Sequence, residues 1–234
     1  MKIADSTAFV TGANRGLGLR FATLLRDRGA TVYAGARDPA SVTLEGVIPV
    51  RIDVTDPRSV ALAAEAARGV DLLVNNAGTY ARGALLGDGA ERLRAELETH
   101  VHGPLAVTRA FLPSLTVHGG AVVNVLSALS WITLPGTGAY SVAKAAGWAL
   151  ANGLRLELAD HGVTVTTVHV GYMDTDMAAG VDAPKTDPAV VAALALDAVE
   201  AGVPEVLVDD VSRQVRAGLA GGVAALYPAL GYAP

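Results

Sequence analysis

Short runs rich in Val, Ile, Leu and Ala alternate with longer segments of helical periodicity along this chain, and that alternation most constrains its fold. The runs at 6–11, 31–36, 47–52, 70–75, 120–126, 163–169 and 205–208 predict strands. The segments 16–28, 56–68, 90–114, 138–160, 187–201 and 210–219 predict helices. Most of the strand runs are continuously apolar, as expected for strands covered on both faces. Asp56-Pro57 and Asp187-Pro188 each supply an N-cap followed by proline at the first helical position. Gly29 and Gly162 stand where two helices would end. Repeated β-α-β order predicts an α/β fold: a doubly wound, Rossmann-like parallel sheet of about seven strands with helices on both faces. No linker, repeat or low-complexity stretch divides it, so residues 1–234 read as one domain. Between the second and third strands, "RDPASVTLEG" is too short for a crossover helix and predicts a loop with a 3₁₀ turn.

Composition excludes several classes of function. There are no cysteines, which removes disulfides, thiolate catalysis and Cys-ligated metals. A net charge of −5 without a Lys/Arg cluster argues against nucleic acid. No His/Asp/Glu cluster has metal spacing, and His100 with His102 is not a site on its own. The charge-free stretches 119–143 and 217–234 are interrupted by Gly, Pro and polar residues, so no membrane span is expected. The second stretch reads as a packed or subunit-facing tail. The apolar run near the N-terminus is too short for a signal peptide, and a cytoplasmic address is the expectation.

The first strand runs directly into "TGANRGLG", residues 11–18. Gly12, Gly16 and Gly18 would let the backbone turn tightly, approach a pyrophosphate and aim a helix N-terminus at negative charge. Taken alone, the same triplet also describes a plain tight β–α turn. Strand two ends on Ala36 where a carboxylate would accept the ribose hydroxyls of NAD(H), and Arg37 follows at once. With Arg15 inside the loop, two guanidiniums and no acid favour a 2′-phosphate, hence NADP(H). Asp38 either caps the next turn or pairs with Arg37.

Only three lysines occur, and Lys144 lies four residues after Tyr140 on a predicted helix. The two side chains share a face. An ammonium beside a phenol favours the phenolate, which would bring the Tyr140 pKa down toward neutrality. Ser127 lies thirteen residues before Tyr140, just past a predicted strand. Its hydroxyl either joins the same substrate oxygen or caps backbone.

In this order and spacing the chain resembles the short-chain dehydrogenase/reductase family over essentially its whole length. The motifs are TGxxxGxG at 11–18, "DVTD" after strand three, "NNAG" at 75–78, Ser127, Tyr140-x-x-x-Lys144 and the Gly171 to Thr175 segment. The resemblance implies that Tyr140 is the general acid in carbonyl reduction and the base in the reverse direction. It implies that Lys144 holds the nicotinamide ribose and that Ser127 positions the carbonyl. Cofactor contacts would come from Gly12, Asn14, Arg15, Gly16, Leu17, Gly18 and Arg37. Asp53 with Val54 would meet the adenine. Asn75, Ala77 and Gly78 would line the cleft, and Gly171 and Thr175 would hold the carboxamide or phosphate. Two positions depart from the pattern. His100 stands where the family has an asparagine that orders a proton-passing water, and it reads either as a titrating relay or as a packed imidazole. Val170-Gly171 replaces the usual Pro-Gly, so the turn is kept while its rigidity is open.

Tyr80, Leu129, Trp131, Leu134, Tyr172, Met173 and Met177 fall where a substrate pocket would be lined, with a substrate loop at about 172–187. Some of them read equally well as core. Their apolar and aromatic character favours a hydrophobic or aromatic ketone or alcohol. The expected activity is hydride transfer between NADP(H) and a carbonyl or secondary alcohol. The alternatives are a non-catalytic NADP(H) sensor and a C=N or C=C reductase. The resemblance also implies a homodimer or homotetramer joined through helices 90–114 and 138–160.

Overall fold

The computed structural model describes residues 1–117 and 119–230. Seven parallel strands form one sheet in the order β3-β2-β1-β4-β5-β6-β7. They are β1 (Thr7–Thr11), β2 (Thr31–Ala36), β3 (Ile48–Arg51), β4 (Leu72–Asn75), β5 (Ala121–Val125), β6 (Thr164–His169) and β7 (Glu205–Leu207). Alternate side chains of each strand enter opposite cores, as the two-residue pleat demands. Ala8, Val10, Leu72, Val74 and Val123 face α1 (Gly16–Asp27) and α6 (Pro188–Ala201). Phe9, Leu73 and Val122 face the other way, toward α2 (Pro57–Ala66), α4 (Gly103–Leu115) and α5 (Gly138–Leu158). Both faces are therefore buried, which is why the central strands carry unbroken apolar sequence.

The edge strand β3 does not follow that rule. Ile48 and Pro49 are exposed and only Val50 is buried. Proline, which cannot donate to the ladder, is tolerated at an edge. The crossover before it is the trimmed loop expected, with a 3₁₀ turn at Pro39–Ser41. Asp38 accepts the Ala40 N–H at 3.0 Å and so caps that turn.

The helix expected over 90–114 is not uniform. It consists of α3 (Gly89–Leu97), a π-helical turn at Glu98–His102, and α4. A π turn inserts a residue into the helical ladder and is often placed at a functional site. Here it leaves His100 buried and His102 exposed. At the C-terminus, α7 (Asp210–Gly218) and a short α8 (Gly222–Leu226) lead into a tail that is half-buried to exposed over residues 217–230, without the burial of a packed tail, and residues 231–234 lie outside the described ones. The Tyr227 hydroxyl accepts the Thr133 N–H at 2.7 Å, which ties this segment to the loop before α5. Among the described residues no helix is long and apolar enough to cross a membrane. Strand order reverses between β1 and β4, and the cleft at the carboxyl ends of these two strands is where open α/β sheets bind ligands.

Candidate active site

One hydroxyl joins the two loops at the reversal point. Thr11 Oγ1 accepts the N–H groups of Asn76 at 2.9 Å and Ala77 at 3.0 Å, and donates to Val74 O at 3.2 Å. The Asn76 amide donates to the carbonyls of Thr11 and Gly12. Gly12 has φ +68°, and a Cβ there would meet the Ala77 backbone at 3.1 Å. A Cβ on Gly18 would lie 2.0 Å from Gly12 O, so loop and helix close only around bare glycine. Arg15, the N-cap of α1, gives no side-chain bond to the first-turn amides. Those amides stay available to an anion, and the loop fits a dinucleotide pyrophosphate. Asn14 and Leu17 belong to this same turn, Leu17 buried and Asn14 half-buried.

The other expected cofactor contacts divide. A Cβ on Gly16 would touch the Thr175 methyl at 3.5 Å, so Thr175 faces the glycine loop. Arg15 reaches across the same gap to Asp176 at 3.6 Å, with both side chains largely in solvent. Arg37 is exposed at the end of β2, and Asp38 is occupied in capping. Asp53 accepts the Thr55 hydroxyl at 2.7 Å and the Thr55 N–H at 3.0 Å. These bonds, helped by Arg37 and Arg51, hold its carboxyl below the usual range against some desolvation. Val54 lies beside Gly103, on the helical side of the same edge. Asn75 does not turn its side chain to the cleft. Its amide donates to Thr108 at 3.2 Å and Asn124 at 3.0 Å in the interior. Asn76, which the sequence reading passed over, holds the glycine loop instead. Only its place in the doublet distinguishes it.

Ser127, Tyr140 and Lys144 converge at the end of β5. Lys144 is buried, and its ammonium donates to Val125 O at 2.9 Å. Nζ lies 5.4 Å from the centroid of the Tyr140 ring. The Tyr140 ring is held edge-on to Tyr80 at 5.0 Å and His100 at 5.3 Å. Ser127 donates to Val170 O at 3.3 Å and accepts the Leu129 N–H at 3.1 Å. The expectation that Lys144 brings the phenol down is overturned. Desolvation raises the Tyr140 pKa, the negative charge of Glu96 raises it further, and the nearby Ser127 hydroxyl opposes them. The ammonium points to a carbonyl rather than to the phenol oxygen. Burial instead acts on Lys144 itself, pulling it down to about 8 while Glu96 pulls the other way.

Glu96 is the largest omission of the sequence reading. It is 1% exposed. Its Oε1 accepts the Ala81 N–H at 2.7 Å, and Oε2 lies 3.0 Å from His100 Nε2. The one available signal was its i,i+4 spacing to His100 in a helix otherwise charged on its outer face.

A second buried imidazole supports Ser127 from below. His169 Nδ1 lies 3.1 Å from Ser127 O, and its ring stacks on Trp131 at 4.0 Å. Arg216 lies over Trp131 at 5.5 Å and bonds Glu205 at 3.2 Å. Trp148 meets Trp131 edge-on at 6.0 Å and donates to Glu205 at 3.3 Å. The Trp131 ring is thus committed to packing rather than free as a pocket wall. Met173 likewise packs against the core and bridges Thr186. Tyr80, Leu129 and Tyr172 are half-buried, while Leu134 and Met177 are exposed. Gly171, despite the missing proline, is fixed by its N–H donating to Asp209 at 2.7 Å. Asp209 also caps α7 through Ser212. The sequence reading missed it because its partner is 38 residues away.

A family model described as short chain dehydrogenase matches residues 6–186. A short chain dehydrogenase from Burkholderia cenocepacia, solved in complex with NADP, is 39% identical, with a TM-score of 0.93 and full coverage of both chains. An oxidoreductase of Botryotinia fuckeliana, BOA17, is 34% identical over 73% of this chain and 66% of its own length. A short chain dehydrogenase/reductase from Burkholderia phymatum in complex with NAD is 22% identical, covers 100% of this chain and 98% of that one, and shares the fold at a TM-score of 0.86. The chain belongs to the short-chain dehydrogenase/reductase family.

The His169 cluster has a consequence for stability. Burial pulls the His169 pKa down to about 4, against the bond to Ser127 and the charge of Glu205. The folded value lies below the unfolded value of about 6.5, so the unfolded chain binds the extra proton first. This contribution is complete above about pH 6.5 and is lost as pH falls toward 4. It amounts to on the order of 3 kcal/mol. Urea midpoints of the wild type are expected to fall across that window, and His169→Gln to flatten the decline.

Proposed function

We propose that this chain is an NADP(H)-dependent oxidoreductase that interconverts a carbonyl and a secondary alcohol, with hydrophobic or aromatic ketones as the substrate class. One observation carries the reading: Ser127, Tyr140 and Lys144 meet at the strand ends beside a glycine loop whose helix leaves its first amides free. The nicotinamide, when bound, supplies or takes the hydride. Residues of the glycine loop, Asp53, Val54, the backbone at Ala77 and Gly78, Gly171, Thr175 and Lys144 would hold the cofactor. Tyr140 carries the proton. Its raised pKa keeps the phenol protonated, so it has a proton to give the carbonyl oxygen as the carbon is reduced. In the other direction the phenolate takes the alcohol proton. Ser127 donates to the same oxygen and stabilises the charge that develops there.

The preference for NADP(H) rests on Arg15 and on Arg37, whose neighbour Asp38 is held to its own turn by the Ala40 N–H. The apolar and aromatic character of Tyr80, Leu129, Leu134, Tyr172 and Met177 supports the substrate class. Assembly as a homodimer or homotetramer through helices 90–114 and 138–160 is part of the same reading, supported by Val142 and Leu156, both exposed on α5.

Two measurements test it. NADPH consumption across aromatic ketones, diketones and aldehydes is expected to fall at least ~100-fold in Tyr140→Phe, with cofactor affinity retained by fluorescence titration. Equal turnover in both proteins would reject the role. In titrations of the wild type, NADPH is expected to bind more tightly than NADH. Arg37→Ala is expected to weaken NADPH about 10-fold and leave NADH unchanged. Tighter binding of NADH by the wild type would overturn the cofactor assignment.

A further inference from the structure

Ser127 is held by a side chain of the neighbouring strand as well as by its own turn. Its carbonyl accepts the Ser130 N–H at 3.0 Å, which closes the 3₁₀ turn at Ala128–Ser130. The same oxygen lies 3.1 Å from His169 Nδ1. A carbonyl only accepts, so the hydrogen of the neutral ring is on Nδ1. Nε2 keeps its lone pair, is buried and has no hydrogen-bond partner among the described residues. Such a nitrogen costs free energy that an apolar side chain at the end of β6 would not. What the imidazole adds is one directed donor, and that donor points at the backbone of Ser127.

The ring is itself held. Trp131 stacks on it with the two planes 18° apart. The Arg216 guanidinium lies 5.5 Å from the Trp131 ring and 5.9 Å from the Trp148 ring. Glu205, on β7, accepts Trp148 Nε1–H and Arg216 Nε–H. Its Oε1 is 3.7 Å from His169 Nε2, too far for a hydrogen bond. Stacking sets the plane of the imidazole, and the Ser127 carbonyl sets its direction within that plane. Burial keeps the ring neutral near pH 7, against the bond to Ser127 and the charge of Glu205.

We propose that His169 is a positioning residue for Ser127, its Nδ1–H holding the Ser127 backbone so that the hydroxyl can leave Val170 O for a substrate oxygen without the turn shifting. This rests on the catalytic reading of Ser127 given above. The hydroxyl accepts the Leu129 N–H at 3.1 Å and donates to Val170 O at 3.3 Å. The second bond is long, and it is the one exchanged when substrate arrives. Leu126 and Ala128, on either side, donate their N–H groups to Val168 O and Val170 O. The Ser127 carbonyl between them is tied to the same strand by His169. The hydrogen that turns to the substrate therefore starts from a backbone fixed on both sides and at its centre.

A double-mutant cycle separates positioning from packing. His169→Leu removes the donor and keeps an apolar side chain in the stack. It is expected to lower kcat about 10-fold with cofactor affinity unchanged. His169→Asn, which returns an N–H near the δ position, is expected to recover part of that loss. In a Ser127→Ala background, His169→Leu is expected to lower kcat by less than about 2-fold, while the urea midpoint falls as far as it does with Ser127 present. A readout independent of turnover and of any variant's folding is the ¹⁵N imidazole spectrum of the cofactor-free wild type. It is expected to report His169 as the Nδ1–H tautomer with Nε2 unprotonated at neutral pH. Three results overturn the role: an Nε2–H tautomer, an equal kcat loss from His169→Leu with and without Ser127, or wild-type kcat in His169→Leu. Full activity in Ser127→Ala alone would instead sink the reading on which the role rests.

Discussion

A charged amine held in the interior with one protein acceptor sets the terms for the whole site. Lys144 has Val125 O and no other hydrogen-bond partner among the described residues. Val125 O is available because β5 ends there and the chain turns into the 3₁₀ segment Ala128–Ser130. An ammonium so placed costs several kcal/mol unless something offsets it. Part of the offset is Glu96, whose carboxylate is the opposing charge felt by Lys144. The site is therefore two buried charges of opposite sign, with a phenol and an imidazole beside them. Each charge is tolerable because of the other, and the phenol stays protonated because Glu96 and desolvation act on it together.

Two further ties hold the backbone around these charges. Thr11 joins the glycine loop to the loop after β4 with one hydroxyl, and Asp209 joins Gly171 to the start of α7 with one carboxylate. Both are short polar groups accepting backbone N–H donors that would otherwise be buried without partners. Such donors cost about 1–3 kcal/mol when orphaned. The loops at the strand ends are thus fixed by polar satisfaction, while the sheet beneath them is fixed by apolar burial on both faces.

Much of this was legible in the residues. Strand positions followed from continuous apolar runs, because a doubly covered strand has no polar face to interrupt it. The trimmed crossover followed from the length of "RDPASVTLEG". The glycine loop and the Tyr140/Lys144 pair were legible because their spacing is local. The rest depended on long-range contact. The π turn at Glu98–His102 leaves no periodic mark in so short a segment. The inward turn of the Asn75 side chain depends on Thr108 and Asn124, partners 33 and 49 residues away. The packing role of Trp131 depends on His169, Trp148 and Arg216, which come from three other elements. The direction of the Tyr140 shift was misjudged for a related reason. Helical spacing brings Lys144 to the same face, but it says nothing about which oxygen its ammonium addresses.

The buried charge is the claim most open to direct measurement, because the chain has only three lysines. Titration of ¹³Cε-labelled lysine by NMR in the cofactor-free protein would resolve three signals. The account predicts that the Lys144 signal titrates near pH 8. A Lys144 titration near 10.5, the ordinary value of the side chain, would mean that the amine is hydrated, and the charge arrangement described for this site would be wrong.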